Sequence, residues 1–362
     1  MINDTWTDEL PLEVLNKQTP VLVTGGAGYL ASWLVKYLLE DGYRVRVTVR
    51  DKEKVDNYSH LLKIAERSPG KLMVFEADLL QESAFDQAME GCNVVFHTAS
   101  PFLISGIKNA KSQLVDPALQ GTRNVLESVN KNPMVKKVVL TSSVMAVYGD
   151  GSDIDSTENG FFTEENWNKS STLRHQPYPF SKTVAEQEAW KIHDQQDHWK
   201  MAVMNPGFIM GPSLTVLSNS GSLDFMLKLS GGKYKSGVPQ LYFGLVDVRD
   251  VAQAHIFAAQ NEEAIGRHIL VNETMSMLDI ARVLSNHFGE DFPFPRKELS
   301  KSVLYLFGFA QGISRKFVSE NVGIPIEFDN SKSKEVLGVN YRSTKESLVE
   351  FLQQILDRNL IK

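Results

Sequence analysis

Tyr178 and Lys182 stand four residues apart in the run Pro177-Tyr178-Pro179-Phe180-Ser181-Lys182, and a serine pair, Ser142-Ser143, closes an apolar run upstream of them. A spacing of four puts the phenol and the ammonium on one face of a helix, one turn apart. Pro179 is compatible with that helix only in its first turn. This trio suits one chemistry. A carbonyl that receives hydride from a nicotinamide develops negative charge on its oxygen, and it needs a proton donor and a hydrogen-bond donor beside it. Tyr178, with an unperturbed pKa of about 10, serves near neutrality if Lys182 and an oxidised nicotinamide favour its phenolate. Lys182 also holds the ribose hydroxyls, and Ser143 orients the carbonyl. A Tyr and a Lys four apart are common by chance; the specific signal is their order behind a glycine turn and a serine at a strand end.

That glycine turn is Val21-Leu22-Val23-Thr24-Gly25-Gly26-Ala27-Gly28-Tyr29-Leu30-Ala31. An apolar run, a tight turn and a helix start form the arrangement that cradles a dinucleotide pyrophosphate. Gly25 allows the turn, Gly28 admits the phosphates, and Ala31 lets helix and strand pack closely. The helix N-terminus adds free N–H groups and partial positive charge. Thr24, Gly25, Gly28, Tyr29 and Leu30 are therefore assigned to the cofactor. The second strand ends in Arg50 rather than an acid, which selects the 2′-phosphate of NADP over the free hydroxyl of NAD. Lys54 adds a second cation; the alternative for both is a solvated charged patch. Asp78 accepts from the adenine amino group while Leu79 covers the ring, unless Asp78 merely caps a helix. Thr98, Ala99 and Ser100 follow the fourth strand, at the carboxyl end where open α/β sheets bind ligands. His97 before them reads as a satisfied core histidine.

These residues need a sheet to hold them. Strand-like segments at 21–24, 45–49, 72–75, 94–96, 138–140 and 201–204 alternate with helical patterns, including 114–129 and about 180–195. Alternation of this kind implies right-handed crossovers and a parallel sheet with helices on both faces. The expected fold is α/β: a Rossmann doubly wound sheet with a smaller, mostly helical C-terminal substrate lobe. Residues 1–19 read as a leader. Residues 20–205 form the dinucleotide-binding domain, to which 241–272 returns, and 206–240 with 273–362 form the lobe. Asn330 or Ser331 caps one helix of the tail, and Thr344 starts the last.

Composition excludes several classes. The chain has 362 residues, 42% hydrophobic and 23% charged, which is ordinary for a globular protein. A net charge of −6 argues against nucleic acid or an anionic membrane as partner. No run approaches the roughly 20 apolar residues of a membrane span; Val303–Ala310 suits a core helix, a lid or a subunit contact. The single cysteine, Cys92, excludes an internal disulfide and fits the reducing cytoplasm. No His or Cys spacing suggests a metal.

Taken together, the motifs resemble the extended short-chain dehydrogenases/reductases, in their dihydroflavonol-reductase-like branch, which includes fungal reductases of methylglyoxal and isovaleraldehyde. The resemblance runs from about residue 20 through Thr24-Gly25-x-x-Gly28-x-x-Ala31, Val49-Arg50-Asp51, Ala77-Asp78-Leu79, His97-Thr98-Ala99-Ser100-Pro101, Gly121-Thr122-x-Asn124, Thr141-Ser142-Ser143, Tyr178-x-x-x-Lys182, Asn205-Pro206 and Val246–His255. It implies Ser143, Tyr178 and Lys182 as catalytic residues and NADP(H) as cofactor. It also implies Pro206 and Gly207 beside the nicotinamide, and Phe102, Val144, Met145 and Phe208 around a small-molecule carbonyl substrate, in a monomer or homodimer. Each of those four is equally suited to a core. The chain departs from the pattern at Asp116–Leu119, where many relatives carry an Asn. The run Pro177–Lys182 does not match the plant cinnamoyl-CoA reductase motif, which lowers a thioester substrate. No basic cluster in the C-terminal half fits a nucleotide-sugar diphosphate, which lowers the alternative, an epimerase/dehydrogenase of the same fold. A cofactor-sensing regulator is lower still, because the Tyr/Lys pair is intact.

Overall fold

Val21 and Val23 face one apolar layer and Leu22 the other, so the first strand is buried on both sides, as a parallel sheet covered by helices requires. The computed structural model describes residues 14–100, 108–215, 220–308 and 312–361. Within them the chain runs β1 (Val21–Thr24), α1 (Tyr29–Glu40), β2 (Arg44–Val49), α2 (Ser59–Ala65), β3 (Lys71–Glu76), α3 (Asp86–Met89), β4 (Val94–His97), α4 (Asp116–Lys131), β5 (Lys137–Thr141), α5 (Pro177–His193) and β6 (Lys200–Pro206). It continues through β7 (Phe208–Met210), α6 (Gly221–Ser230), β8 (Val238–Pro239), β9 (Tyr242–Asp247), α7 (Val248–Gln260), β10 (Gly266–Leu270), β11 (Glu273–Ser276) and α8 (Met277–Phe288). The tail adds β12 (Glu298–Leu299), α9 (Lys301–Phe307), α10 (Arg315–Asn321), α11 (Ser331–Glu335) and α12 (Thr344–Asp357).

Seven strands form one parallel sheet in the order β3-β2-β1-β4-β5-β6-β10. The order reverses between β1 and β4, and the crevice above a reversal is where such sheets take ligands. The fold is the doubly wound Rossmann type expected from the alternation of elements. One core lies between the sheet and the α1/α7 side; a second lies on the opposite face, around Val125, Val129 and Ala189 of α4 and α5. A third, around Met226, Leu284 and Phe351, belongs to the C-terminal part.

Two details depart from the periodicity. β10 does join the large sheet, but β9 pairs with β7 and β11 in a separate three-stranded sheet. Alternation reports that a segment is a strand, not which sheet will take it. Residues 14–19 fall within the expected leader; of these, Leu15 is buried in the first core and the Val14 carbonyl accepts from Asn93 Nδ2. The serine caps follow the usual chemistry: Ser276, Ser300, Ser314 and Ser343 each accept from a backbone N–H in the first turn of the following helix. Thr344 opens α12 as expected, whereas Asn330 precedes α11 and instead donates to the Val271 carbonyl. Among the described residues no helix is long and apolar enough to cross a membrane.

Candidate active site

The glycine turn has the backbone its residues imply. Gly25 sits at φ +64°, and a Cβ there would press on Ala99 at 3.0 Å. A Cβ on Gly26 would meet Val47 at 2.6 Å, so the turn lies tight against β2 and β4. Gly28 is the N-cap of α1 and has no side chain to offer the first turn. That turn also carries no acid. No side chain caps its amide groups, which fits a pyrophosphate. The side chains of this stretch do other work. Thr24 is buried; its Oγ1 accepts from the Ala99 N–H at 3.1 Å and meets His97 Nδ1 at 2.9 Å. Tyr29 Oη donates to the Gly211 carbonyl at 2.6 Å and its ring stacks on Phe351. Leu30 is core.

At the end of β2, Arg50 is exposed and makes no ion pair among the described residues, so its guanidinium fits a cofactor 2′-phosphate. Lys54 is instead bound to Asp51 at 2.9 Å, and that ammonium holds the Asp51 carboxyl below the usual range. Asp78 is exposed; its Oδ1 accepts from Leu80 N at 2.8 Å, closing a local turn rather than capping a helix. Leu79 packs against Gly121, where a Cβ would approach it to 3.2 Å.

β4 delivers the next group. His97 is buried, and burial pushes its imidazole down to about 3, so it is the neutral core histidine its context suggested. Thr98 Oγ1 donates to the Thr24 carbonyl at 2.5 Å. Ser100 accepts from Lys182 Nζ at 3.2 Å, which brings the α5 lysine to the carboxyl end of β4. Phe102 lies outside the described residues.

The helix bearing Tyr178 and Lys182 starts at Pro177, slightly earlier than its apolar period suggested, so both prolines fall in the first turn. Gln176 before it is left-handed, at φ 55° and ψ 60°, an unusual state for a non-glycine residue. Its Nε2 donates to the Gly149 carbonyl and to Asp150 Oδ1, at 2.5 and 2.6 Å. Lys182 Nζ lies 6.0 Å from the Tyr178 ring centre. Burial pushes the Tyr178 phenol up to about 12. Lys182 and an oxidised nicotinamide are together expected to favour the phenolate; in the protein alone burial prevails and the phenol stays protonated. Burial also lowers the Lys182 ammonium to about 8, against an opposing pull from Glu186.

Ser143 follows β5 and caps a short turn, its Oγ accepting from Met145 N at 3.1 Å. Ser142 points the other way, donating to Glu186 Oε2 at 2.5 Å. Val144 is buried with Val147, Tyr148 and Phe162, and Met145 packs on that cluster. Phe208 is half-buried and packs edge-on against Phe225 and tilted against Phe243. Pro206 closes β6 inside the sheet. A Cβ on Gly207 would collide with the Gly244 carbonyl oxygen, so that glycine is demanded by the crossing of two backbones. Among the described residues no His, Cys, Asp and Glu cluster could hold a metal.

Glu186 and Gln176 carry no motif in the sequence, and Asn205 stands in one without an assigned role. Glu186 had a signal: it continues the Tyr178–Lys182 face one further turn along α5, an acid where the helix is buried.

Residues 21–272 match the NAD-dependent epimerase/dehydratase family model. A cinnamoyl-CoA reductase, CAD2 of Medicago truncatula, is 35% identical over 93% of this chain and 96% of its own. Among solved structures, Gre2 of Candida albicans in complex with NADPH aligns with a TM-score of 0.77 at 28% identity, over 94% of this chain and 99% of that one. The yeast methylglyoxal/isovaleraldehyde reductase Gre2 complexed with NADPH aligns with a TM-score of 0.74 at 28% identity, over 94% of this chain and 98% of that one.

Proposed function

The chain belongs to the NAD-dependent epimerase/dehydratase family, and from that membership we propose that it is an NADPH-dependent reductase of aldehydes, ketones or α-dicarbonyls, with Tyr178 as the proton donor. The observation that carries this reading is the lysine bridge: Lys182 Nζ reaches Ser100 across the crevice at the sheet's reversal, with Tyr178 one turn away on the same helix. When bound there, NADPH would supply the hydride that the carbonyl carbon takes up. Tyr178 Oη then gives its proton to the carbonyl oxygen. A phenol raised by burial is protonated throughout the neutral range and is suited to the reductive direction. Lys182 holds the ribose and stabilises the phenolate left behind, and Ser143 orients the oxygen. The open first turn of α1 takes the pyrophosphate, and Arg50 takes the 2′-phosphate. The two NADPH-bound structural relatives support this cofactor.

The similarity to a cinnamoyl-CoA reductase over nearly the whole chain favours a second substrate class, the CoA thioester, that the run around Tyr178 had argued against. One assay separates the readings. NADPH oxidation is followed with aldehydes, diketones, β-keto esters, flavanonols and cinnamoyl-CoA, with free thiol measured in parallel. Oxidation on simple carbonyls without thiol release is the expected result. Thiol release with cinnamoyl-CoA alone would move the substrate to thioesters. Tightly co-purified NAD with no net NADPH consumption would contradict both and favour an epimerase.

A further inference from the structure

Glu186 lies one turn beyond Lys182 on α5, and its side chain is fully buried. Four donors converge on its carboxylate. Ser142 Oγ lies at 2.5 Å, Asn205 Nδ2 at 2.8 Å, Arg267 Nε at 2.6 Å and Trp190 Nε1 at 3.4 Å. Two of these donors lead directly to the candidate site. Ser142 is the residue before Ser143, and Asn205 Nδ2 also donates to the Ser143 carbonyl at 3.1 Å. Asn205 in turn precedes Pro206 and Gly207 at the end of β6. The third donor, Arg267 on the edge strand β10, is itself anchored. Its Nη1 donates to the Glu164 and Asn166 carbonyls, at 2.8 and 2.5 Å, and its guanidinium lies 4.0 Å from the Trp167 ring centre. A buried carboxylate of this kind is costly to desolvate and is held only because its partners satisfy it.

We propose that Glu186 is a positioning residue for the reaction: its carboxylate ties the Ser143 strand end, the Asn205–Gly207 segment and the Lys182 helix into one rigid unit, and it places the negative charge nearest Lys182. This rests on the reductase reading above. The charged and titratable surroundings of Lys182 are few. Tyr178 and Glu186 face it from its own helix, His97 from β4, and Arg267 reaches the same carboxylate from β10. Among the described residues, the small cavity beside Lys182 is lined by no titratable group other than His97 and Glu186. Removing the Glu186 charge therefore leaves burial unopposed, and the ammonium loses its proton at a lower pH.

The test compares Glu186→Gln, which keeps the volume and removes the charge, with Glu186→Asp and Ser142→Ala, which keep a charge and disturb a tether. Lys182 is titrated in cofactor-free protein by pH-dependent acetylation read by mass spectrometry. The midpoint is expected to fall by about one pH unit in Glu186→Gln, as for loss of one neighbouring opposite charge, and to stay near wild type in Glu186→Asp and Ser142→Ala. In turnover, Glu186→Gln is expected to lower kcat by about tenfold or more and to move the alkaline loss of activity to lower pH, with the KM for NADPH little changed. Ser142→Ala is expected to lower kcat without moving that limb. A Glu186→Gln midpoint and pH profile superimposable on wild type would overturn the proposal. If Glu186→Gln does not fold, wild-type kcat in Ser142→Ala would overturn it. The acetylation midpoint is read without turnover, so a wild type inactive on every carbonyl would sink the reductase reading and leave this result standing.

Discussion

At the scale of single residues, the cations after β2 differ in what already holds them. Arg50 has no ion-pair partner among the described residues, whereas Lys54 is engaged by Asp51. Arg50→Asp should weaken NADPH about 10- to 150-fold, the roughly 1.5–3 kcal/mol of hydrogen bonds to a charged group, while sparing NADH. Lys54→Ala should change NADPH affinity by no more than about threefold, as exposed pairs do. Fluorescence titration of both cofactors checks this, and an unaltered NADPH/NADH preference in Arg50→Asp would remove that arginine from the phosphate site. Residue type and spacing made Arg50, Tyr178, Lys182 and Ser143 candidates in the sequence, and the fold brings Lys182 to Ser100 beside Tyr178. Glu186 and Asn205 were not legible as a pair: they lie on different elements, and only folding brings the carboxylate within 2.8 Å of the amide.

Elements place these residues through close backbone crossings. Gly207 follows β6 and passes so near Gly244 of β9 that no side chain fits between them. Gly207→Ala must push one strand away from the other, at a cost of about 1–3 kcal/mol for overpacking against backbone. Urea unfolding should show the lower midpoint with an unchanged slope, and a variant as stable as wild type would mean the crossing is looser than described. The strands and long helices of the large sheet were readable because buried parallel strands give continuous apolar runs and α-helices give their own period. The pairing of β9 was not, since a strand's residues do not name its neighbours. Nor was the left-handed Gln176, whose state depends on Gly149 and Asp150, remote along the chain.

At the scale of the whole molecule, His97, His255 and His268 are buried inside the fold. Burial lowers His97 and His268 to about 3 and His255 to about 4. The unfolded chain protonates each near the ordinary value of about 6.5, so the folded state binds fewer protons below that pH. Their contribution is fully present above about pH 6.5 and is lost as pH falls toward the folded values, at up to about 1.4 kcal/mol per pH unit for each fully differing group. The melting temperature should therefore fall steeply between about pH 6 and pH 4.5 and be nearly flat from pH 7 to 8. A flat profile down to pH 4.5 would contradict the buried, neutral state of these rings. Burial likewise keeps the Tyr178 phenol protonated, as the proposed proton donor requires. Deuterium transfer from NADPH deuterated at both nicotinamide C4 positions, compared in wild type and Tyr178→Phe, tests the proton-donor assignment most directly. Wild type should place deuterium on the former carbonyl carbon. Tyr178→Phe should do so about 10²- to 10⁴-fold more slowly while binding NADPH nearly as well. Equal transfer rates in the two proteins, or an alcohol product without the label, would contradict it.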